Sequence, residues 1–375
     1  MPLYLDNNAT TALDPMVLDT MLPYMQLVFG NPSSVHRYGR LTRDALELAR
    51  SQVAGLVGAQ PGQVIFTSGG TEANNLAIRG TLTAKTQGRF AVSAIEHASV
   101  MDAAKALNQE GWQLDVIAAD SDCRITSSAL EEAVHSDTQL VSVMMANNET
   151  GAIQDIETLS GMCREKGILF HTDASQAAGK IPVNFSSAGI SLMTVSSHKL
   201  YGPQGVGALI ADRAIEIKPV LYGGGQERGL RSGTENIAGI VGFGKAAELA
   251  LQHMDDRTSQ MTRLRDELVM RLEAIAGITV FAKEADRLPN TVQFAVDGFE
   301  GETLLMQLDK KGIAVSSGSA CHSGQTEPSH VLLAMGVSKN VARSAIRVSF
   351  GKDNKPEEVN QFMDALQNII DERVN

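Results

Sequence analysis

Leu192-Met193-Thr194-Val195-Ser196-Ser197-His198-Lys199 is a short apolar run that ends in hydroxyls, an imidazole and an amine. An apolar run of this length reads as a strand buried on both faces, in a sheet covered by helices. Working outward, similar runs occur at Val64-Ile65-Phe66-Thr67, Phe90-Ala91-Val92-Ser93, Leu140-Val141-Ser142-Val143-Met144, Ile168-Leu169-Phe170 and Val206-Gly207-Ala208-Leu209-Ile210. Between most of them lie helical stretches such as 128–135 and 156–166. Strands alternating with helices predict an α/β fold with a mostly parallel central sheet. From about 245 to 276 the chain is polar and helix-periodic, with Leu264, Leu268 and Leu272 on one face, which predicts a long connecting helix. After it, 291–296, 313–316 and 346–350 read as strands, and 301–311 and 356–370 as helices. That order predicts a second, smaller α+β domain.

Composition narrows the function. A chain of 375 residues is long for one core, so two domains are expected. Hydrophobic residues at 43% and charged residues at 20% fit a soluble globular protein. The net charge of −11 argues against a general nucleic-acid or anionic-membrane surface. No apolar run approaches membrane-spanning length. The start, Met1-Pro2-Leu3-Tyr4-Leu5-Asp6, lacks the basic and apolar regions of a secretory signal. Cys123, Cys163 and Cys321 are too few and too scattered for a disulfide framework or a metal site, so a reducing cytoplasm is expected.

Lys199 carries the first chemical hint. Apolar surroundings lower an ammonium pKa, and a neutral amine forms a Schiff base with an aldehyde. Asp173 ends the run Ile168-Leu169-Phe170-His171-Thr172-Asp173. A carboxylate placed beside such a lysine keeps a pyridine nitrogen protonated, and the pair is what pyridoxal 5′-phosphate requires. Singly, each is more often a surface lysine or a strand-end aspartate. The reading therefore rests on further parts. Thr67-Ser68-Gly69-Gly70-Thr71-Glu72 joins a strand to a helix, so Gly70 and Thr71 can cradle a phosphate, with Ser196 and His198 as further donors. His97 ends another strand and can stack on a ring and exchange protons. Asn148 and Gln176 can reach a phenolic oxygen. Glycine turns, lone histidines and Asn-rich strand ends also occur without ligands. Here they gather at the carboxyl edge, where α/β sheets bind ligands.

A second thread is Ser316-Ser317-Gly318-Ser319-Ala320-Cys321-His322-Ser323-Gly324-Gln325, a loop of small, permissive residues. Cys163 shares a helical stripe with Leu159 and Met162, which reads as packing. Cys123 lies in a turn-like stretch without a helper. Cys321 is the one cysteine that reads as a nucleophile. Arg347, in Ser344-Ala345-Ile346-Arg347-Val348-Ser349-Phe350, points away from its apolar neighbours if this is a strand.

Together with Leu5-Asp6-Asn7-Asn8-Ala9-Thr10-Thr11, Gly30-Asn31-Pro32-Ser33-Ser34 and Arg231-Ser232-Gly233-Thr234-Glu235-Asn236, these motifs resemble the successive signatures of the pyridoxal-phosphate-dependent cysteine desulfurases of the NifS/IscS type, in order from residue 3 to about 370. The resemblance implies the aspartate-aminotransferase fold (fold type I) and a homodimer. It implies a large cofactor domain over 15–255, and a small domain of 1–14 plus 256–375 that carries the catalytic loop, about 316–329. It implies transfer of sulfur from L-cysteine to an enzyme cysteine, with release of L-alanine. Lys199 would hold the cofactor and shuttle protons, and Asp173 would pair with the pyridine nitrogen. His97 would stack on the ring. Asn148 and Gln176 would address the phenolic oxygen, with Asn148 also on the substrate side. Gly70, Thr71, Ser196 and His198 would bind the phosphate, joined by Thr234 from the other subunit. Arg347 would clamp the substrate carboxylate, the alternative being an ordinary edge-strand arginine. Cys321 would carry the persulfide to a sulfur-acceptor protein. The alternatives are an aminotransferase or selenocysteine lyase, and a non-catalytic relative. Cys321 speaks against an aminotransferase, which needs no loop thiol, and the full set of Lys199, Asp173, His97 and Cys321 speaks against a non-catalytic copy. Two features depart from the pattern. His322 follows Cys321 where Thr or Ser is usual, and the sequence ends at Asn375, short of the tail that housekeeping members use to dock an iron–sulfur scaffold.

Overall fold

The computed structural model describes residues 3–317 and 328–374. In chain order the strands are β1 (Leu3–Tyr4), β2 (Val64–Thr67), β3 (Arg89–Ser93), β4 (Gln113–Ile117), β5 (Thr138–Ser142), β6 (Leu169–Asp173), β7 (Leu192–Ser196), β8 (Gly207–Ala211), β9 (Ile278–Val280), β10 (Thr291–Val296), β11 (Ile313–Ala314), β12 (Ser316–Ser317) and β13 (Ala345–Ser349). Seven of them form the central sheet, in the order β2-β8-β7-β6-β5-β3-β4. It is mostly parallel; β8 alone runs against both its neighbours. Only residues 197–206 join β7 to β8, too few for the crossover that a parallel partner needs.

Both faces of this sheet are covered. Phe66, Ala91, Val141, Phe170, Met193 and Ile210 join one core, into which the helices Arg37–Leu56, Ile156–Glu165 and Ile237–Gln252 pack. Ile65, Phe90, Val92, Leu140, Leu192 and Leu209 point to the opposite face, against Leu76, Val100, Leu107 and Trp112. Adjacent strand residues thus enter different cores, as the two-residue strand period demands. Each large apolar side chain buried in this way contributes roughly 1.5–3 kcal/mol.

A separate core joins Leu3 and Leu5 to Leu264, Leu268, Leu272, Phe294, Ile346 and Phe362. Above it lies a four-stranded antiparallel sheet, β12-β13-β10-β9, while β1 pairs in parallel with β11. The N-terminus is therefore stitched to the C-terminal elements, and residues 6–11 then cross toward the central sheet.

Two expectations need correction. The connecting helix is two helices, Ile237–Gln252 and Met254–Glu273, broken at His253 (φ −114°). The first starts earlier than its polar periodicity allows because it is buried on most sides. Gly244 lets it lie against the helix Arg37–Leu56: a Cβ there would come within 2.6 Å of Ala49 Cα. The strand expected over 313–316 is split, β11 serving one sheet and β12 another. No helix among the described residues is long and apolar enough to cross a membrane.

Candidate active site

The carboxyl ends of β2, β3, β5, β6 and β7 deliver their following residues to one cavity of about 300 Å³. Gly70, Thr71, His97, Asn148, Asp173, Gln176, Ser196, His198, Lys199 and Arg347 all line it. Thr234 does not: it is exposed, in the loop 222–235. Cys321 and His322 lie outside the described residues. The chain on either side of them is rooted at the site. Ser316 and Ser317 line the cavity, and His330 Nε2 lies 2.9 Å from the carbonyl of Glu96, next to His97. Ser329 caps the helix His330–Ala334 and donates to the buried Glu149 carboxylate at 2.5 Å.

Lys199 closes the short turn Ser197–Lys199 that follows β7. Its Nζ donates to the carbonyls of Asn8 (2.6 Å) and Ala9 (2.8 Å), so the segment crossing from β1 helps to fix it. Asp173, at the end of the neighbouring β6, accepts from Asn74 Nδ2 (2.7 Å) and from the Ser175 backbone N–H (2.9 Å). Each carboxylate oxygen keeps lone-pair capacity for a further donor.

His97 caps the helix Ala98–Gln109: its Nδ1 accepts from the Ser99 backbone N–H at 3.1 Å. Burial pulls its pKa below the ordinary value, although Asp173 pulls the other way. The hydrogen bond assigns the proton of the neutral ring to Nε2. His198 is also neutral. Burial, assisted by the Lys199 charge, lowers its pKa to about 4, and its Nδ1 lies 3.1 Å from Thr10 Oγ1. It therefore meets an anion as a hydrogen-bonding group rather than as a cation.

Arg347 sits on β13, between β12 and β10, so it is not on an edge strand. It is 5% exposed. Nη2 donates to Asp6 Oδ1 at 2.6 Å and Nη1 to the Asn148 carbonyl at 3.0 Å, while Nε is buried without a partner. A guanidinium held by two of its corners is preorganised to receive a carboxylate.

The recess between β2 and β7 passes a direct test for a phosphate. Ser175 Oγ and Ser196 Oγ are buried and have no hydrogen-bond partner among the described residues. Between them lies Gly70, where a Cβ would stand 3.3 Å from Ser175 Oγ and 3.5 Å from Ser196 Cβ. Buried hydroxyls without acceptors are costly, and phosphate oxygens at a helix start supply acceptors. The residues fit pyridoxal 5′-phosphate: hydroxyl and backbone donors for its phosphate, a carboxylate for its ring nitrogen and an amine for its aldehyde.

Several of these residues were given no role by sequence reading. The side chains of Asp6, Asn8 and Asn74 find partners distant in the chain, among them Arg347, Thr291 and Asp173, while Ser175 Oγ has no partner among the described residues. Ser175 had one local signal, its place two residues after Asp173.

The remaining cysteines are packing. Cys123 and Cys163 are buried, and burial pushes both thiols up to about 12.

The Aminotransferase class-V family matches residues 3–362. The protein named Cysteine desulfurase IscS from Dictyoglomus turgidum (strain DSM 6724 / Z-1310) is 43% identical over 371 residues, 98% of this chain and 94% of that protein. A cysteine desulfurase from Gluconacetobacter diazotrophicus is 44% identical, over 98% of this chain and 93% of its own. Among solved structures, a NifS-like protein superposes with a TM-score of 0.93 at 36% identity, over 99% of this chain and 100% of that one. A structure described as SspA in complex with cysteine gives a TM-score of 0.83 at 31% identity, over 93% and 99%.

Proposed function

The chain belongs to the class-V aminotransferase family, and we propose that it is a pyridoxal-5′-phosphate-dependent cysteine desulfurase that moves the sulfur of L-cysteine onto Cys321 and releases L-alanine. One observation carries this reading: Lys199 and Asp173, from adjacent strand ends, line one cavity with His97, Arg347 and two buried hydroxyls that lack acceptors. The cofactor supplies an electron sink for the carbons of the substrate. The protein does the rest. Asp173 holds the proton of the ring nitrogen. Lys199 binds the cofactor aldehyde and moves protons at the substrate carbons. His97 covers the ring and exchanges protons through Nε2. Gly70, Thr71, Ser196 and His198 bind the phosphate, and Ser175 joins them. Asn148 and Gln176 address the phenolic oxygen. Arg347 takes the substrate carboxylate.

Cys321 is the one cysteine left for nucleophilic work, since the other two thiols are buried in cores. Its thiolate attacks the sulfur of bound cysteine, the carbon–sulfur bond breaks with its electron pair left on the carbon side, and that carbon takes up a proton, which Lys199 delivers, to give alanine. Cys321→Ala should keep the cofactor colour and its spectral response to L-cysteine, but lose persulfide formation and alanine release. Alanine release at the wild-type rate would remove Cys321 from the reaction and favour selenocysteine-lyase-type chemistry, whereas a 2-keto acid in place of alanine would mark an aminotransferase. The persulfide then passes to an acceptor protein in the reducing cytoplasm.

Thr234 completes the site of a second subunit in a homodimer. The fixed shape of its loop supports this reading: Glu227 and Arg228 hold left-handed backbone angles (φ 45° and 60°), which few residues adopt. Glu227 is anchored there by Arg50 at 2.7 Å and by the Phe66 backbone N–H at 2.9 Å. Mixing Lys199→Ala with Thr234→Ala subunits should produce heterodimers with one intact site and restored activity. Proven heterodimers that stay inactive would count against sharing.

A further inference from the structure

Lys180 is a lysine whose place in the chemistry nothing above explains. It is 5% exposed, three residues beyond the turn that carries Ser175 and Gln176, and it does not line the cavity. Its backbone carbonyl accepts from Thr258 Oγ1 at 2.7 Å, which fixes the turn to the helix Met254–Glu273. Its two side-chain hydrogen bonds go to amide oxygens, not to a carboxylate: Gln176 Oε1 at 2.8 Å and Asn8 Oδ1 at 3.1 Å.

These contacts fix the direction of two amides. A lysine nitrogen, charged or neutral, offers N–H groups to both oxygens. Gln176 Nε2 in turn donates to the Asn8 carbonyl at 3.0 Å, the same carbonyl that receives Lys199 Nζ. Turning the Gln176 amide over would set NH₂ against the lysine and oxygen against a carbonyl, so both contacts would become repulsive. Asn8 is locked likewise. Its Oδ1 also accepts from Asn290 (3.0 Å), and its Nδ2 donates to Thr291 Oγ1 (2.8 Å) and the Asn148 carbonyl (3.1 Å).

We propose that Lys180 is a positioning residue that seals the acceptor end of Gln176, so that the amide presents only its N–H side to the phenolic oxygen of the cofactor. This rests on reading the cavity as a pyridoxal-phosphate site. Burial, with Lys199 and Arg347 as the nearby like charges, lowers the Lys180 pKa well below the lysine range. The proposal does not need the charge, because a neutral amine still donates to both oxygens.

The test is the visible absorbance of the protein loaded with pyridoxal 5′-phosphate, titrated with pH. A fixed donor favours the unprotonated, anionic cofactor oxygen, so losing it raises the midpoint of the colour change. Lys180→Met should raise it by roughly 0.5–1 pH unit, the size expected of one lost hydrogen bond. Gln176→Leu should raise it similarly, and the double variant should go no further than Gln176→Leu alone. A Lys180→Met midpoint equal to wild type overturns the proposal. So does a double variant whose shift is the sum of the two, since Lys180 would then act by its own charge. If Lys180→Met does not fold, Lys180→Leu, which likewise donates to neither oxygen, should give a shift of the same sign, and no shift again overturns it. A wild type that takes up no pyridoxal phosphate refutes the reading of the cavity, and the role of Lys180 with it.

Discussion

Lys199→Ala should release no measurable alanine from L-cysteine, a loss of at least roughly 10³-fold. Proton transfer by a positioned side chain is by itself worth about 10²–10⁴, and the proposed function gives Lys199 the added task of binding the cofactor aldehyde. The geometry makes this assignment testable against a named competitor. Two lysines have their amines near Asn8: Lys199, which lines the cavity, and Lys180, which sits behind Gln176. Borohydride reduction of the loaded wild type should therefore fix the cofactor mass to the peptide carrying Lys199. An adduct on the Lys180 peptide, or on any other lysine, would refute the assignment. The variant should still hold pyridoxal phosphate, more weakly, because the phosphate recess and Asp173 are untouched by the change.

What the sequence disclosed follows from how far each signal reaches along the chain. β5, β6 and β7 are buried on both faces and stand out as apolar runs. β4, Gln113–Ile117, is an edge strand with Asp115 and an exposed Val116, so its composition resembles that of a loop. The reversed direction of β8 was hidden because periodicity carries no direction. The helix Ile237–Gln252 was half missed because apolar residues surround it instead of marking one face. In the site, Lys199, Asp173 and His97 announce themselves by closely following apolar runs: Asp173 ends β6, while Lys199 lies three residues past β7 and His97 four past β3. Their supports do not. Asn8 lies 191 residues before the lysine it fixes, and Asp6 lies 341 residues before Arg347. No local pattern marks a polar residue whose partner enters from another part of the fold.

Arg347 supplies the second large effect. Its guanidinium is spread over three tasks. Nη2 balances Asp6, Nη1 ties down the Asn148 carbonyl, and Nε remains buried without a partner. On the proposed reading, a substrate carboxylate would bring the acceptor that this edge of the fork lacks. Truncating one member of a buried charge pair costs about 2–5 kcal/mol, so Arg347→Ala should lower kcat/KM for L-cysteine by roughly 30- to 5,000-fold. Arg347→Lys should recover little, because a point charge cannot reach three directions at once. The colour of the bound cofactor should not change, since Arg347 bonds to neither Lys199 nor Asp173. Structural damage has a different signature. β13 is an interior strand, and removing the partner of Asp6 could loosen the join between the N-terminal segment and the sheet. Cofactor loss and a large fall in Tm would point there. Cysteamine, which is cysteine without its carboxylate, separates the two explanations. Wild type should use it poorly, and Arg347→Ala should use it no worse than wild type does, because the interaction removed from the protein is already missing from the substrate. An equal loss on both substrates would take Arg347 out of carboxylate recognition.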